Sequence, residues 1–365
     1  MNRDFYKGKK VFITGHTGFK GSWLSLALQK LGAEVVGYSL EPPTEPSMFR
    51  ILRMEDDMSS YRGDIRDFER LLACFAAEKP EVVFHLAAQP IVRESYRNPR
   101  DTYETNLMGT VNVLECVRRT GTVRSLLVVT TDKVYRNNEW IWGYREDETL
   151  DGYDPYSNSK SCAELAAASY KRSFFDGGRI RVSTARAGNV IGGGDFAPDR
   201  IIPDCFRAAE KGTPILVRNP DSVRPYQHVL EPLDAYLTIA QAQYQDAALA
   251  GCYNVGPELS GCVSTGRLVE LFCRFWGEGA SWKTQREPGP HEASFLRLDS
   301  SKIKSCLGWR PVWSIQEAME QTAAWYRAYV NGEDLRGLTK KQIDLFAAQR
   351  DAEAEGDTSK CQPLL

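Results

Sequence analysis

The sequence is poor in the features that mark the special classes of protein. Its nine cysteines, at positions 74, 116, 162, 205, 252, 262, 273, 306 and 361, include no CxxC pair. An odd, scattered set without ligand spacing excludes a zinc ribbon and a disulfide framework, and is expected to stay as reduced thiols. Histidine is scarce, four in 365 residues, and neither His16 nor His228 has a partner at metal-ligand spacing, so no metal is expected. No apolar run approaches the ~20 residues that cross a bilayer. Met1 to Lys10 is polar and runs straight into a strand, so a secretory signal is not expected and a cytoplasmic location is. With a net charge of −2 there is no electrostatic case for nucleic acid or an anionic membrane surface as partner. The sequence contains no internal repeat. What is present is an ordinary globular composition, 42% hydrophobic and 26% charged, in a chain long enough for one large α/β domain with an added lobe.

The first half alternates apolar strands with amphipathic helices. Val11 to Thr14 reads as a short buried strand, and Trp23, Leu24, Ala27, Leu28 and Leu31 then recur at helical spacing up to Gly32. Glu34 to Ser39 reads as a second strand, and Asp67 as the cap of a helix with Phe68, Leu71, Leu72 and Phe75 on one side. Val82 to Phe84 and Leu126 to Val129 are two further buried strands, separated by a long helical stretch around Thr102 to Arg119. Such alternation predicts right-handed βαβ units and a parallel sheet covered on both faces. After about Thr184 the pattern turns irregular and rich in Gly, Pro and Arg, which fits a lobe built from insertions. Leu230 to Gln243 and Cys252 to Val255 read as a helix and strand returning to the sheet. A terminal helix is expected from Thr339, with a loose polar continuation from Arg350 to Lys360.

Two motifs carry chemistry. Gly15-His16-Thr17-Gly18-Phe19-Lys20-Gly21 is GxxGxxG, directly after a strand and directly before a helix. Glycines permit a tight turn and close backbone approach, and the helix N-terminus offers free N–H groups to a pyrophosphate. His16 is expected to belong to this phosphate loop. Where such folds place an acid on the adenosine ribose, this chain has Ser39, with Glu41 two residues later and no arginine for a 2′-phosphate, so NAD is favoured over NADP. Asp64-Ile65 either meets the adenine or merely caps a turn. The second motif, Tyr156-Ser157-Asn158-Ser159-Lys160, is YxxxK at the start of a helix, which puts both side chains one turn apart on one face. A tyrosine is a poor base at neutral pH unless a neighbouring ammonium lowers its pKa. Alone, YxxxK is often a surface pair; after a GxxGxxG loop it points to catalysis.

Together these motifs resemble the extended short-chain dehydrogenase/reductases, from about Lys9 to about Tyr326. The resemblance implies a Rossmann-type doubly wound parallel sheet with a smaller, discontinuous substrate-binding lobe. It implies residues 1–188 as the cofactor domain with 229–257 returning to it, 189–228 and 258–330 as the lobe, and 331–365 as a terminal helix and tail. It further implies that Leu86, Ala87 and Ala88 lie close to the dinucleotide, that Asn106 supports the active-site helix, and that Thr131 bonds the reacting sugar oxygen. Gln89 falls beside these at the sugar.

Thr130-Thr131-Asp132-Lys133-Val134-Tyr135 resembles the nucleotide-sugar dehydratase branch, whose epimerase cousins match only as far as the threonine. Dehydration needs a proton taken from carbon 5 and one given to the hydroxyl leaving carbon 6, which gives two adjacent acid/base groups a purpose. The pair here is Asp-Lys, as in dehydratases acting on CDP-glucose, with Lys133 as base and Asp132 as acid. Lysine is a base only if neutral, and the bland alternative is a solvated Lys133. For the nucleotide-sugar, the resemblance offers Asn189, Arg200, Arg224, Tyr226, Asn254 and Arg297, the arginines matching phosphate in bidentate geometry. Pro290-His291-Glu292-Ala293 resembles the same branch. It also implies a homodimer or homotetramer through the long helices and a part in making deoxy sugars for surface polysaccharide. Two other readings stay open: a nucleotide-sugar 4-epimerase and a non-catalytic dinucleotide-binding regulator.

Overall fold

The structure is a computed structural model and describes residues 3–258, 261–285 and 295–358. Its centre is a sheet of seven strands, β1 (Lys10–Thr14), β2 (Glu34–Ser39), β3 (Ser59–Arg62), β4 (Val82–His85), β5 (Ser125–Val129), β6 (Arg181–Ala187) and β7 (Cys252–Val255). They lie in the order β7-β6-β5-β4-β1-β2-β3, and every pairing is parallel. This is the doubly wound parallel sheet that the alternation predicted.

Alternate residues of each strand serve opposite faces, as the pleat requires. Val11, Ile13, Phe84 and Leu127 face a core that includes Trp23, Leu24 and Leu28 of the helix Phe19–Lys30. Phe12, Val83, Leu126 and Val128 face the other, with Leu71 and Phe75 of Phe68–Glu78 and Val113, Leu114 and Val117 of Gly109–Thr120. Asp67 caps Phe68–Glu78 by accepting the Arg70 N–H, and Gly32, at φ 76°, follows the first helix.

The helical stretch expected over 102–119 is present and begins earlier, at Pro99, with one π-turn inside it. Pro99 opens a short helix, Pro99–Tyr103, and a π-turn, Glu104–Met108, precedes Gly109–Thr120. Proline at the first helical position gives up no hydrogen bond, and the π-turn carries Asn106. At the other end, the helix expected from Thr339 runs Leu335–Thr358, so the stretch from Arg350 is helical through Thr358 rather than loose. Its anchors are partners that the local sequence does not reveal: Gln349 accepts from the Trp313 indole, and Arg350 pairs with buried Asp234 at 3.0 Å.

Apart from β7, the described residues beyond β6 make only pairings of two or three residues. Val190–Ile191 pairs with Gln227–His228, Val223–Arg224 with Val263–Ser264, and Ile215–Val217 with Trp282–Thr284. The helices Ile201–Glu210 and Thr265–Trp276 pack beside them. The helix Leu230–Gln245 then leads to β7, the edge strand next to β6.

Candidate active site

Strand order reverses between β1 and β4, and ligands of such sheets bind at that switch, outside the strand C-termini. A cleft of about 1450 Å³ opens there. Gly15, at φ 81°, lies so close to the end of β4 that a Cβ would stand 2.7 Å from Ala87 N, while one on Gly21 would meet the Gly15 carbonyl at 2.1 Å. Gly18 has more room, since a Cβ there would meet only Gly15 O, at 3.4 Å. The helix after it has no acid in its first turn, so its free N–H groups are not pre-empted. Gly15, Thr17, Gly18, Phe19, Lys20, Gly21, Leu86, Ala87 and Ala88 all line the cleft, a cradle that fits a dinucleotide pyrophosphate. Lys20 reaches inward, and burial together with Arg200 and Lys160 pushes its ammonium down to about 7.

At the adenosine end Ser39 lines the cleft and shares a hydrogen bond with the Thr17 hydroxyl at 2.8 Å. An arginine does stand near: Arg62 is Ser39's register partner on β3, a neighbour no local pattern reveals. Its guanidinium is bound to Glu41 at 3.0 Å and to Glu55, so it is committed to carboxylates. Asp64 and Ile65 also line the cleft, but Asp64 caps a turn, accepting the Arg66 N–H at 2.9 Å and the Arg66 guanidinium. His16 turns away. Its ring lies buried beside Phe49, sharing a hydrogen bond with Ser60 at 2.7 Å, and burial pushes its pKa down to about 3.

Thr131, Lys133, Tyr156 and Lys160 meet at the end of β5, and all four line the cleft. Asp154 caps the helix Pro155–Tyr170, which aims Tyr156 into the cleft from its first turn. Burial pushes the Tyr156 phenol up to about 12, opposed by a hydrogen bond with the Thr131 hydroxyl; Asp132 raises it further and Arg200 lowers it. Lys160 donates to the Val129 carbonyl at 3.1 Å, and burial lowers its ammonium to about 8, against the pull of Glu164. Asp132 is wholly buried and does not line the cleft. One oxygen accepts the Thr131 hydroxyl at 2.9 Å and Lys133 Nζ at 2.8 Å; the other has no protein partner. Lys133, 29% exposed, is therefore the member of the pair that faces the cleft, and it also donates to Asn189 at 3.1 Å.

Asn106 is buried behind the site, where its amide bonds Ser159 of the catalytic helix at 2.9 Å and the backbone of Gln89. Gln89 lines the cleft, yet its side chain is spent on Thr102 and on the Ile91 N–H.

In the lobe, Asn189, Arg200, Arg224 and Tyr226 line the cleft; Arg200 is held by Asp195 at 3.0 Å, and Tyr226 shares a hydrogen bond with Thr265 at 3.0 Å. Two residues expected there do not reach it. Asn254 is fully buried on β7, bonded to Tyr135 at 2.7 Å and to the carbonyls of Tyr144 and Asp299, because β7 is the sheet edge farthest from the switch point. Arg297 lies over the Phe295 ring instead of lining the cleft. Residues 290–293 fall outside those described. Sequence reasoning missed Arg93 and Arg218, which line the cleft on either side of Asp199 at 3.6 and 3.7 Å. Asp199 holds φ 58°, uncommon for a non-glycine residue, though nothing in the local pattern pairs it with either arginine. Also missed was Glu164, which follows Lys160 at i+4 and so shares its helix face; that spacing was the available signal. Among the described residues no cluster of His, Cys, Asp or Glu could hold a metal, and no helix is long and apolar enough to cross a membrane.

A switch-point dinucleotide cradle beside a Thr–Tyr–Lys group, facing a lobe that supplies arginines, defines a nucleotide-sugar-modifying oxidoreductase fold of the extended short-chain type. Residues 12–322 match the model of the GDP-mannose 4,6 dehydratase family, and the chain belongs to that family. It is 48% identical over 349 residues to the CDP-glucose 4,6-dehydratase of Salmonella typhimurium, covering 94% of this chain and 97% of that protein. Among solved structures it is similar to the dTDP-glucose 4,6-dehydratase of Bacillus anthracis in complex with NAD, with TM-score 0.74, 21% identity, and 89% and 99% of the two chains covered. The Thermus thermophilus UDP-glucose 4-epimerase complex with NAD gives TM-score 0.75 at 25% identity, covering 87% and 99%. The epimerase likeness is distant and the dehydratase identity is high, so the chain is a nucleotide-sugar 4,6-dehydratase.

Proposed function

We propose that this chain is an NAD-dependent CDP-glucose 4,6-dehydratase that yields the 4-keto-6-deoxy sugar. The observation that carries the reading is the Asp132–Lys133 contact at 2.8 Å beside Thr131, with Lys133 facing the cleft. An epimerase has no use for such a pair. The GxxGxxG backbone from Gly15 to Gly21, with Leu86 to Ala88, Ser39, Tyr156 and Lys160, holds the cofactor. Bound in that cradle, NAD⁺ would supply the hydride acceptor for the oxidation, and its reduced form the hydride donor.

The chain's own residues manage the protons. Tyr156 takes the proton of the 4-hydroxyl, and the Thr131 hydroxyl stabilises the phenolate by swinging its single proton from Asp132 to Tyr156. The 4-keto group acidifies the hydrogen at carbon 5. Within the Asp132–Lys133 pair a proton crosses from ammonium to carboxylate, which leaves a neutral amine and a carboxylic acid together. The Lys133 amine removes the carbon-5 proton as the carbon 6–oxygen bond breaks. The Asp132 proton passes along the pair to the departing oxygen, and water leaves. Once carbon 6 is reduced, Lys133 returns its proton to carbon 5. Asn189, Arg200, Arg224 and Tyr226 hold the nucleotide-sugar.

Residues 1–188 with 229–257 form the cofactor part, 189–228 and 258–330 the sugar lobe. The enzyme works in the cytoplasm as a homodimer or homotetramer, a reading supported by exposed Met108, Leu165 and Phe174 on or beside neighbouring helices. Its product suits the making of deoxy sugars for surface polysaccharide. Incubating the protein with NAD and CDP-glucose in heavy water and following the sugar by NMR tests the reading. A 4-keto-6-deoxy product with deuterium at carbon 5 is expected; a 4-epimer, or no change, would overturn it.

A further inference from the structure

Behind the site lies a buried charge that the mechanism does not use. Glu164 and Arg186 are each 3% exposed and pair at 2.9 Å. The Glu164 carboxylate also accepts the Thr130 hydroxyl at 2.5 Å and the Thr184 hydroxyl at 2.7 Å. Arg186 continues outward, donating to the Tyr135 hydroxyl at 2.7 Å and to the Glu146 carbonyl at 3.0 Å. One carboxylate on the catalytic helix thus fastens the residue before Thr131 on one side and β6 on the other. Two charges are taken out of water to do it, a costly way to secure packing that apolar side chains could provide.

We propose that Glu164, with Arg186, is a positioning residue for the oxidation step, locking the Thr130–Thr131 end of β5 against the helix that carries Tyr156 and Lys160. It touches neither sugar nor cofactor and acts through Thr130 and through the charge it presents to Lys160, one turn away. The groups facing Lys160 are Glu164 on its own helix, Lys20 on Phe19–Lys30 and His85 at the end of β4, whose ring burial keeps neutral. Glu164 is the anion among them, and its charge opposes the burial that lowers the Lys160 ammonium. This inference rests on the dehydratase reading.

The test compares the wild type, Glu164→Gln and Thr130→Val on CDP-glucose with NAD, across pH. Glu164→Gln is expected to lower kcat by roughly 10²-fold with KM near the wild-type value, since positioning errors act on the reacting geometry. The alkaline limb of its pH profile moves toward lower pH, because Lys160 loses its charge sooner. A role in packing alone would lower thermal stability and leave that limb in place, and such a result overturns the proposal. Removing the counter-ion of a buried guanidinium can also unfold a protein. Thr130→Val keeps the ion pair and cuts only the tie to β5; roughly a 10-fold loss in kcat with an unmoved pH limb is expected, by the same positioning argument. Wild-type kcat in Thr130→Val overturns the proposal whether or not Glu164→Gln folds. A wild type inert on CDP-glucose sinks the parent reading itself, whereas an active wild type matched by both variants sinks this inference alone.

Discussion

The proposed cofactor half and the proposed sugar lobe of this enzyme are held in place by different means. In the cofactor half, parallel strands of four to seven residues share a register, and the loop after β1 sits within van der Waals reach of the end of β4. The geometry there is fixed by backbone: Gly15 and Gly21 have no room for a side chain. Among the described residues of the lobe the longest pairing is three residues, Ile215–Val217 with Trp282–Thr284. Positions there come from side chains: Arg200 on Asp195, Arg93 and Arg218 around Asp199, and Phe206 stacked on Tyr326 at 4.6 Å. Thr131, Tyr156 and Lys160 stand on the half fixed by backbone, and Arg200 and Arg224, the arginines proposed for the phosphates, on the half fixed by side chains. A reaction that needs its acid and base held within tenths of an ångström is served by the first, and a choice among nucleotides by the second.

That contrast can be broken at either end. The largest effect is expected from Lys133→Met, which removes the cleft-facing member of the acid/base pair: dehydration should fall by roughly 10³-fold, while oxidation at carbon 4, followed in a single turnover, persists. Loss of both steps together would detach Lys133 from the elimination. Gly15→Val should weaken NAD by about 10²-fold in calorimetric titration, because it adds bulk at a positive φ against Ala87. Arg224→Met is the matching cut in the lobe: KM for the nucleotide-sugar should rise about 10-fold with kcat nearly unchanged and NAD affinity intact. If it weakened NAD as well, the two halves would not be separable in this way.

The smallest effect concerns pH and stability. Burial pushes Glu231 up to about 8, although its carboxylate accepts the N–H groups of Trp313 and Val312. The folded state therefore keeps a proton that the unfolded state releases above its ordinary pKa of 4.5. Stability from this group is full below that value and is lost as pH rises toward 8. Glu231→Gln should remove that decline, raising Tm at pH 8 relative to the wild type by roughly 2–4 °C. Parallel melting curves across pH for the two proteins would refute it.

The same contrast explains what could be read from the sequence. β1, β2, β4 and β5, the glycine loop and YxxxK are local patterns, set by residue period and turn chemistry within a few positions. The surroundings of Ser39 were not legible, because Arg62 reaches it only through the pairing of β2 with β3. The family resemblance offers Asn254 and Arg297 to the nucleotide-sugar, yet the sheet edge and the Phe295 ring take their side chains away from the cleft. The setting of Asp132 likewise depends on a residue far along the chain: a Cβ on Gly188 would stand 3.2 Å from its free carboxylate oxygen.

In the proposed reaction hydrogen leaves carbon 4 and returns at carbon 6 of the same sugar while a proton is lost at carbon 5. CDP-glucose carrying deuterium at carbon 4, incubated with the protein and NAD in ordinary water, tests it most directly by mass spectrometry and NMR of the product. The account predicts a 4-keto-6-deoxy sugar with the deuterium on carbon 6. Deuterium kept at carbon 4 of an epimer, or released as reduced cofactor in step with substrate consumed, would contradict it.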